Sequence, residues 1–373
     1  LHRTEPCRET DALVLLCTSL SGGIGRVVCN LAEALATQGV RIVVVVGKES
    51  AEYELPRHPL VAYHVLRTTH ATFGVIAFAV LLLRVRPRAV LADMPRTAQL
   101  AWRACALLGN RIAAIACLHN TYSLTVRQLS RAKQRARMRV LRLYPRRAAA
   151  IVGVSRGVAD DFADLIGIPH DAVRAIPNPA VPLGLDRLAA ECLAPDDPLL
   201  ARPYVLALGR LTEQKGFDVL IDAYGRLGGD DSPDLVILGE GPERASLEAC
   251  ARAHGLEQRV HLPGARGNPF PYIARARLLV LASRWEGFAN VLVEAMALGV
   301  PVVATDCPNG PREILEGGRH GPLVPVGDAP ALARAIEQVL ARPANGDSLR
   351  ARAAVYRADR VAREYLELAR TLA

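Results

Sequence analysis

Apolar residues fall along this chain in two alternating modes: short unbroken runs, and longer stretches where they recur every three or four positions. Runs at 12–17, 40–46, 90–92, 112–118, 149–154 and 174–176 predict strands, and the Val- and Ile-rich ones have the character of buried parallel strands. Residues 27–38, 98–108 and 156–165 predict helices, with Gly39 and Gly109 closing the first two and Ser155 capping the third. The rhythm breaks at 181–202, where Pro195, Asp196, Asp197 and Pro198 cluster and no long apolar run occurs. This predicts a linker at 183–202 after a first domain at 1–182. A second series follows, with strands at 204–209, 234–239, 260–262, 278–282 and 300–304, and helices at 217–227, 242–254, 289–298, 329–341 and 349–373. Strand–helix alternation repeated in this way predicts an α/β chain of two doubly wound parallel sheets, with a second domain at 203–350 and a terminal helix at 351–373. No sequence repeat relates the halves.

Composition narrows this picture. A chain of 373 residues suits two or three domains, and 51% apolar against 22% charged residues exclude disorder and collagen as descriptions. Charge is uneven. Residues 1–182 hold 24 of the 46 Lys and Arg and 12 of the 37 Asp and Glu, a net of +12, whereas the remainder carries −3. A basic half points to an anionic partner: nucleic acid, phospholipid or a phosphorylated substrate. Aromatics at 5% give no stacking platform, which argues against nucleic acid. The eight cysteines include no C-x-x-C pair, so they read as reduced core residues, as suits the cytosol. The run at 12–17 is too short for a signal peptide. Residues 73–83 (FGVIAFAVLLL) would rise about 16 Å as a helix, half of a roughly 30 Å hydrocarbon core. They read as a buried helix or, with the following Arg84–Val85–Arg86–Pro87–Arg88, as one lying on a bilayer.

Chemistry concentrates at 283–315, SRWEGFANVLVEAMALGVPVVATDCPNGPREIL. Glu286 follows a strand end, where open α/β sheets bind ligands. Gly287 permits close backbone approach, and Asn290 and Val291 fall in a helix's first turn, whose N–H groups suit phosphate. Glu294 follows Asn290 by four positions and Glu286 by eight, so it faces the same place one turn deeper. Both could be ordinary helix carboxylates, but Glu294 lies between Val293 and Ala295 in a nearly apolar helix and there needs a partner.

The E-x7-E spacing in EGFANVLVEA, the GVPVVATDCPNGPREIL that follows it, GRLTEQKGFDVLIDAY at 209–224, LVILGEGPER, SGGIGR near the start and the closing YRADRVAREYLEL resemble, in order, the retaining glycosyltransferases of family 4 with the GT-B fold. The resemblance implies two Rossmann-like domains facing a cleft and a terminal helix returning to the first. It implies that Glu286 contacts donor sugar hydroxyls, that Gly287, Phe288 and Ala289 present backbone amides, that Asn290 and Val291 meet the distal phosphate, and that Glu294 accepts the ribose hydroxyls. Arg210 and Lys215 would hold the diphosphate, compensating the leaving group's charge without a metal. Gly22 and Gly23 would lie at the cleft. His119, at the end of the strand at 112–118, would touch the donor sugar near the reacting centre.

Competing chemistries are poorly served. The loop at 21–26 lacks the G-x-G-x-x-G spacing, and Gly47–Lys48 stand where a dinucleotide site needs an acid. No D-x-D pair suggests a metal; Asp160–Asp161, Asp196–Asp197 and Asp230–Asp231 read as helix-start or loop carboxylates. No carboxylate in the first-domain motifs offers itself as the nucleophile of a double displacement. The family is explained instead by a same-face route in which the departing phosphate takes the acceptor proton.

Nine cations at 127, 131, 133, 135, 137, 139, 142, 146 and 147 occur with no acid among them. Arg127, Arg131, Arg135, Arg139, Arg142 and Arg146 keep helical spacing and predict one stripe. A solvated face would explain it, but so many like charges favour an anion. With the resemblance, this predicts an anionic membrane surface, a polyprenyl-diphosphate-linked or other glycan acceptor, and peripheral placement on the cytoplasmic face of the inner membrane. The expected donor is a UDP-linked hexose or N-acetylhexosamine with no further cofactor, the expected product a surface glycan. The alternatives are a GT-B enzyme with a small soluble acceptor, of sucrose or trehalose type, and an inactive glycan-binding protein.

Overall fold

The computed structural model describes residues 12–48, 55–66, 73–93, 95–194, 197, 199, 201–227 and 232–372. Cys7, Pro195, Asp196, Pro198, Asp230 and Asp231 lie outside them. The chain divides into two compact units, Leu1–Pro179 with Arg357–Ala373, and Ala180–Tyr356.

In the first unit seven parallel strands stand in the order β3-β2-β1-β4-β5-β6-β7. They are β1 (Ala12–Cys17), β2 (Arg41–Val46), β3 (Val61–Val65), β4 (Ala89–Ala92), β5 (Ala113–Leu118), β6 (Ala150–Gly153) and β7 (Arg174–Ala175). β1, β4 and β5 are buried at every position, which is why they read as unbroken apolar runs. β3 escaped the sequence pattern because it is an edge strand with Ala62, Tyr63 and His64 exposed. Helix α1 (Gly22–Thr37) links β1 to β2. α2 (Phe73–Val85) and α3 (Pro95–Leu107) flank β4 in sequence, and α4 (Tyr122–Arg127), α5 (Arg131–Leu141) and α6 (Tyr144–Arg147) follow β5. α7 (Arg156–Ile166) opens on Ser155, whose side chain accepts from Val158 N–H, and closes on left-handed Gly167.

Two expectations change here. The glycine turn at 21–26 is instead the opening of α1, with Ser21 at its N-cap. The continuous basic stripe is broken: α4 ends at Arg127, Ser130 restarts the helix, and α5 ends at Leu141. Only Arg131, Arg135 and Arg139 share one helix face; Arg142 follows as the C-cap, and Arg146 belongs to α6. Arg spacing alone carries no stop signal, whereas Ser130 offers an N-cap.

The second unit has six parallel strands in the order β10-β9-β8-β11-β12-β13. These are β8 (Tyr204–Leu208), β9 (Asp234–Leu238), β10 (Val260–Gly264), β11 (Leu278–Leu281), β12 (Val302–Thr305) and β13 (Leu323–Val324). Its helices are α8 (Leu185–Ala189), α9 (Phe217–Tyr224), α10 (Arg244–Ala253), α11 (Phe270–Arg275), α12 (Asn290–Ala297), α13 (Pro311–Ile314), α14 (Ala329–Ala341) and α15 (Gly346–Ala353). Leu220, Ile221, Leu235, Ile237, Leu278, Leu332 and Ile336 form the core between sheet and helices. α8 falls within the segment expected to be a linker and is tied to this unit: Asn268 Nδ2 donates to Leu188 O at 2.8 Å and to Glu191 at 2.7 Å. The helix expected at 349–373 is two: α15, a 3-10 turn at Ala354–Tyr356, and α16 (Ala358–Thr371). α16 packs on α1 in the first unit, where Gln38 Nε2 donates to Asp359 O at 2.9 Å.

Candidate active site

Strand order locates the site of the second unit. From β8 the chain winds through β9 to β10 on one side, and β11 begins the other side. The crevice beyond the C-terminal ends of β8 and β11 is therefore the topological switch point, where open sheets bind ligands. The segment after β8 carries Arg210 and Lys215; the segment after β11 carries Glu286 through Asn290.

The two segments are joined closely. Lys215 Nζ and Ser283 Oγ both donate to Glu286 Oε1, each at 2.6 Å. Glu286 is only 6% exposed, so its charge is compensated by short charge-assisted bonds rather than by water. Arg284 grips Asp218 with two bonds of 3.0 and 2.7 Å and donates to Glu213 O, while Gln214 Nε2 donates to Trp285 O at 2.9 Å. Gly216, at φ +62°, lets the loop pass close by: a Cβ there would meet Ala282 O at 2.2 Å. Lys215 is thus delivered to Glu286 by a backbone fit that other residues would disrupt.

Beyond Glu286 the chain turns into α12 through Ala289, a non-glycine residue at φ +72°. Such strain persists only where packing imposes it. Here Phe288 is buried edge-on against Tyr356 at 5.3 Å, and Gly310 passes so near that a Cβ would lie 2.4 Å from Phe288 O. Asn290 and Val291 form the first turn of α12, whose N-terminal dipole favours an anion. Glu294, one turn further, is 3% exposed, so it is not a surface helix carboxylate. Arg210 is exposed two residues after the end of β8. Cys307 is buried nearby; burial first, then the Glu286 charge, pushes its thiol up to about 12, leaving it inert.

The remaining sequence-predicted residues lie in the first unit. Gly22 and Gly23 open α1, with Gly22 at φ +60° and Gly23 exposed. His119 follows β5, and burial lowers its pKa to about 4, so the ring is neutral at ordinary pH. Asp161 caps α4, accepting from Tyr122 and Ser123 N–H at 2.7 and 3.1 Å.

Sequence reasoning passed over Asp93. Register pairs Leu16 with Ala92 and Ala92 with Ala116, so one residue on, Cys17, Asp93 and Cys117 stand in a row at the ends of β1, β4 and β5. This is the switch point of the first sheet. Asp93 is buried, its Oδ2 has no hydrogen-bond partner among the described residues, and burial pushes its pKa up to about 8. The only sequence signal was a lone acid closing a buried strand. Ser283, the second donor to Glu286, was also missed; its neighbours gave no sign that its hydroxyl turns inward.

Known proteins with these features are glycosyltransferases. Residues 21–181 match the model of Glycosyltransferase Family 4, and residues 202–342 that of Glycosyl transferases group 1. The lipopolysaccharide core biosynthesis glycosyltransferase LpsE of Rhizobium meliloti is 36% identical over 57% of this chain and 58% of its own length. The N-acetylgalactosamine-N,N'-diacetylbacillosaminyl-diphospho-undecaprenol 4-alpha-N-acetylgalactosaminyltransferase of Campylobacter jejuni is 32% identical over 60% of each chain. The matched region thus spans less than two thirds of these relatives. The crystal structure of Anabaena Alr3699/HepE in complex with UDP shares the fold, with a TM-score of 0.76 at 20% identity over 96% of this chain and all of that one. With both units matched, over more than half of its length, the chain belongs to the family 4, group 1 glycosyltransferases, and its two parallel-sheet units are those of the GT-B fold.

Proposed function

We propose that the chain transfers a hexose or N-acetylhexosamine from a nucleotide sugar, UDP-linked, to a lipid-linked glycan acceptor in surface polysaccharide synthesis, with retention of anomeric configuration and without a metal. The observation that carries this reading is the Lys215–Glu286 pair at the switch point of the second sheet, beside the N-terminus of α12. Glu286, positioned by Lys215 and Ser283, meets the donor sugar hydroxyls. Gly287, Phe288 and Ala289 line the turn with backbone amides. Arg210, Lys215 and the first turn of α12 at Asn290 and Val291 face the diphosphate, and Glu294 accepts the ribose hydroxyls. Charge grows on the leaving phosphate as the glycosidic C–O bond breaks, and these fixed cations and dipoles stabilise it with little reorganisation. The acceptor hydroxyl forms the new C–O bond on the same face, and its proton passes to the departing phosphate oxygen. Neutral His119 offers a hydrogen bond to the donor sugar; Gly22 and Gly23 leave room at the mouth of the first unit's sheet.

The acceptor reading rests on the diphospho-undecaprenol named for the Campylobacter relative and on the basic segment from Arg127 to Arg147, whose arginines suit an anionic membrane face. The enzyme then works peripherally, on the cytoplasmic side. The test is a panel of nucleotide sugars incubated with the protein and a lipid-diphosphate acceptor in EDTA, with the product's anomeric configuration read by NMR. Transfer from a UDP-sugar with retention is expected. An inverted product, or activity restored only by Mg²⁺ or Mn²⁺, overturns the corresponding part.

A further inference from the structure

α2 is apolar on both sides. Its inward positions Val75, Phe78, Ala79 and Leu82 are buried, as a helix covering a sheet requires. Its outward face should then be polar, yet Ile76, Val80 and Leu83 stand there 56%, 43% and 58% exposed. Spaced i, i+4 and i+7, they form one ridge. Scattered exposed aliphatics are ordinary, but an ordered ridge is a contact surface. Leu107, 64% exposed at the end of α3, adds to it, since α2 and α3 pack side by side.

The surroundings say what the ridge meets. Right-handed crossovers place α2, α3 and the helices from α4 to α7 on one face of the first sheet, and α1 on the other. Ring contacts bear this out: Trp102 of α3 lies 5.1 Å from Tyr144 of α6, which lies 5.5 Å from Phe162 of α7. Up to α6 that helical layer is almost wholly basic. From α2 to α6, residues 73–147 contain 15 Lys and Arg and one acid, Asp93, which is buried; the acids of the layer, Asp160, Asp161 and Asp164, are confined to α7. Arg84 and Arg86 are exposed at the end of α2, Arg103 on α3, and Arg131, Arg135 and Arg139 on α5.

We propose that the outer face of this layer is an interfacial membrane surface, in which Ile76, Val80 and Leu83 enter the headgroup–acyl boundary of an anionic bilayer while the surrounding arginines meet lipid phosphates. This deepens the proposed function, on whose membrane-bound acceptor it rests, and adds a hydrophobic component to the electrostatic one. A second copy of the chain fits poorly, because a symmetric contact would set this basic face against itself. A protein partner would need an acidic surface with an apolar groove, whereas anionic lipid supplies both chemistries at once. With 13 residues α2 is about 20 Å long, so it lies along the bilayer rather than across it.

The experiment is flotation of the full chain with phosphatidylcholine–phosphatidylglycerol vesicles at low and high salt, wild type beside an I76S/V80S/L83S variant. The ridge keeps every charge in place, and its exposed positions tolerate Ser. High salt screens the arginines and leaves the apolar term dominant. There the triple variant should partition roughly 10- to 100-fold more weakly, about what half-burial of three aliphatic side chains contributes. Its hydrolysis of donor in solution should be unchanged. As a second measurement, Val80→Trp should add fluorescence that brominated lipids quench, beyond the response of wild type. Equal partition of variant and wild type, no added quenching, or no vesicle binding by wild type at any salt overturns the proposal. So does a concentration-dependent dimer abolished by the triple variant without effect on vesicles. Full vesicle binding without transfer to any lipid-linked acceptor would instead remove the acceptor reading and leave this surface standing.

Discussion

In the second unit charge is used in pairs. Lys215 meets Glu286, Arg284 meets Asp218, Arg244 lies between Glu240 and Glu248, Arg312 pairs with Asp306, and Arg352 with Glu316. In the first unit, among the described residues, Arg131, Lys133, Arg135, Arg137, Arg139 and Arg142 form no ion pair. Both units are parallel sheets with buried strands, so the contrast is not one of fold. Paired charges fix loops in register around a small site, whereas an unneutralised layer has the charge to meet an anion outside the chain, as proposed above. The same residue types therefore serve positioning in one unit and, on the proposed reading, recruitment in the other.

The largest break should come at the pair itself. Glu286→Ala removes the shared acceptor of Lys215 and Ser283 and the proposed sugar contact. We expect transfer to fall about 1000-fold while UDP affinity, measured by calorimetry on the same variant, changes little. Near-normal turnover would remove Glu286 from the site. Lys215→Ala should lower transfer about 100-fold, roughly 3 kcal/mol of transition-state stabilisation, and also weaken UDP. Loss of UDP affinity with kcat intact would make Lys215 a ground-state binder only.

Reversing Arg131, Arg135 and Arg139 to Glu tests the other side of the comparison. Each near-surface arginine contributes about 1 kcal/mol towards anionic lipid, so the variant should leave vesicles at low salt and slow transfer to an embedded acceptor. Donor hydrolysis should not change; an equal fall in both rates would place these arginines in catalysis rather than recruitment.

Asp93, the one acid between α2 and α6, gives the smallest effect. Its folded pKa is raised to about 8, against an ordinary value near 3.9. The unfolded state therefore binds fewer protons between those values, and stability, fullest below about pH 4, declines as pH rises towards 8, by at most about 1.4 kcal/mol per pH unit. Thermal melts at pH 5 and pH 8 should show a drop for wild type that Asp93→Asn largely removes. An equal drop in both would assign the pH dependence elsewhere.

The sequence by itself determined the strands that are buried on both faces. β1, β5, β8 and β11 needed only their unbroken apolar runs, because sequestering such a run between two helical layers leaves few other arrangements. It also supplied the E-x7-E segment, since Glu286, Asn290 and Glu294 belong to one turn and one helix and local spacing brings them together. Edge strands β3 and β13 were silent, the first because it is largely exposed and the second because two residues give little pattern, although the equally short β7 was legible at 174–176. The breaks in the basic segment were equally silent, for helical periodicity continues on paper across Ser130. What only the tertiary structure decided were meetings between distant segments. Lys215 and Glu286 are 71 residues apart and touch because β8 and β11 are neighbours. Asp93 became buried because parallel register sets it between Cys17 and Cys117. The ridge on α2 faces outward because the core needed only one side of an apolar helix. Local pattern fixes which residues share a face, but strand order and packing fix what that face meets, since both are settled by burial summed over the whole sheet.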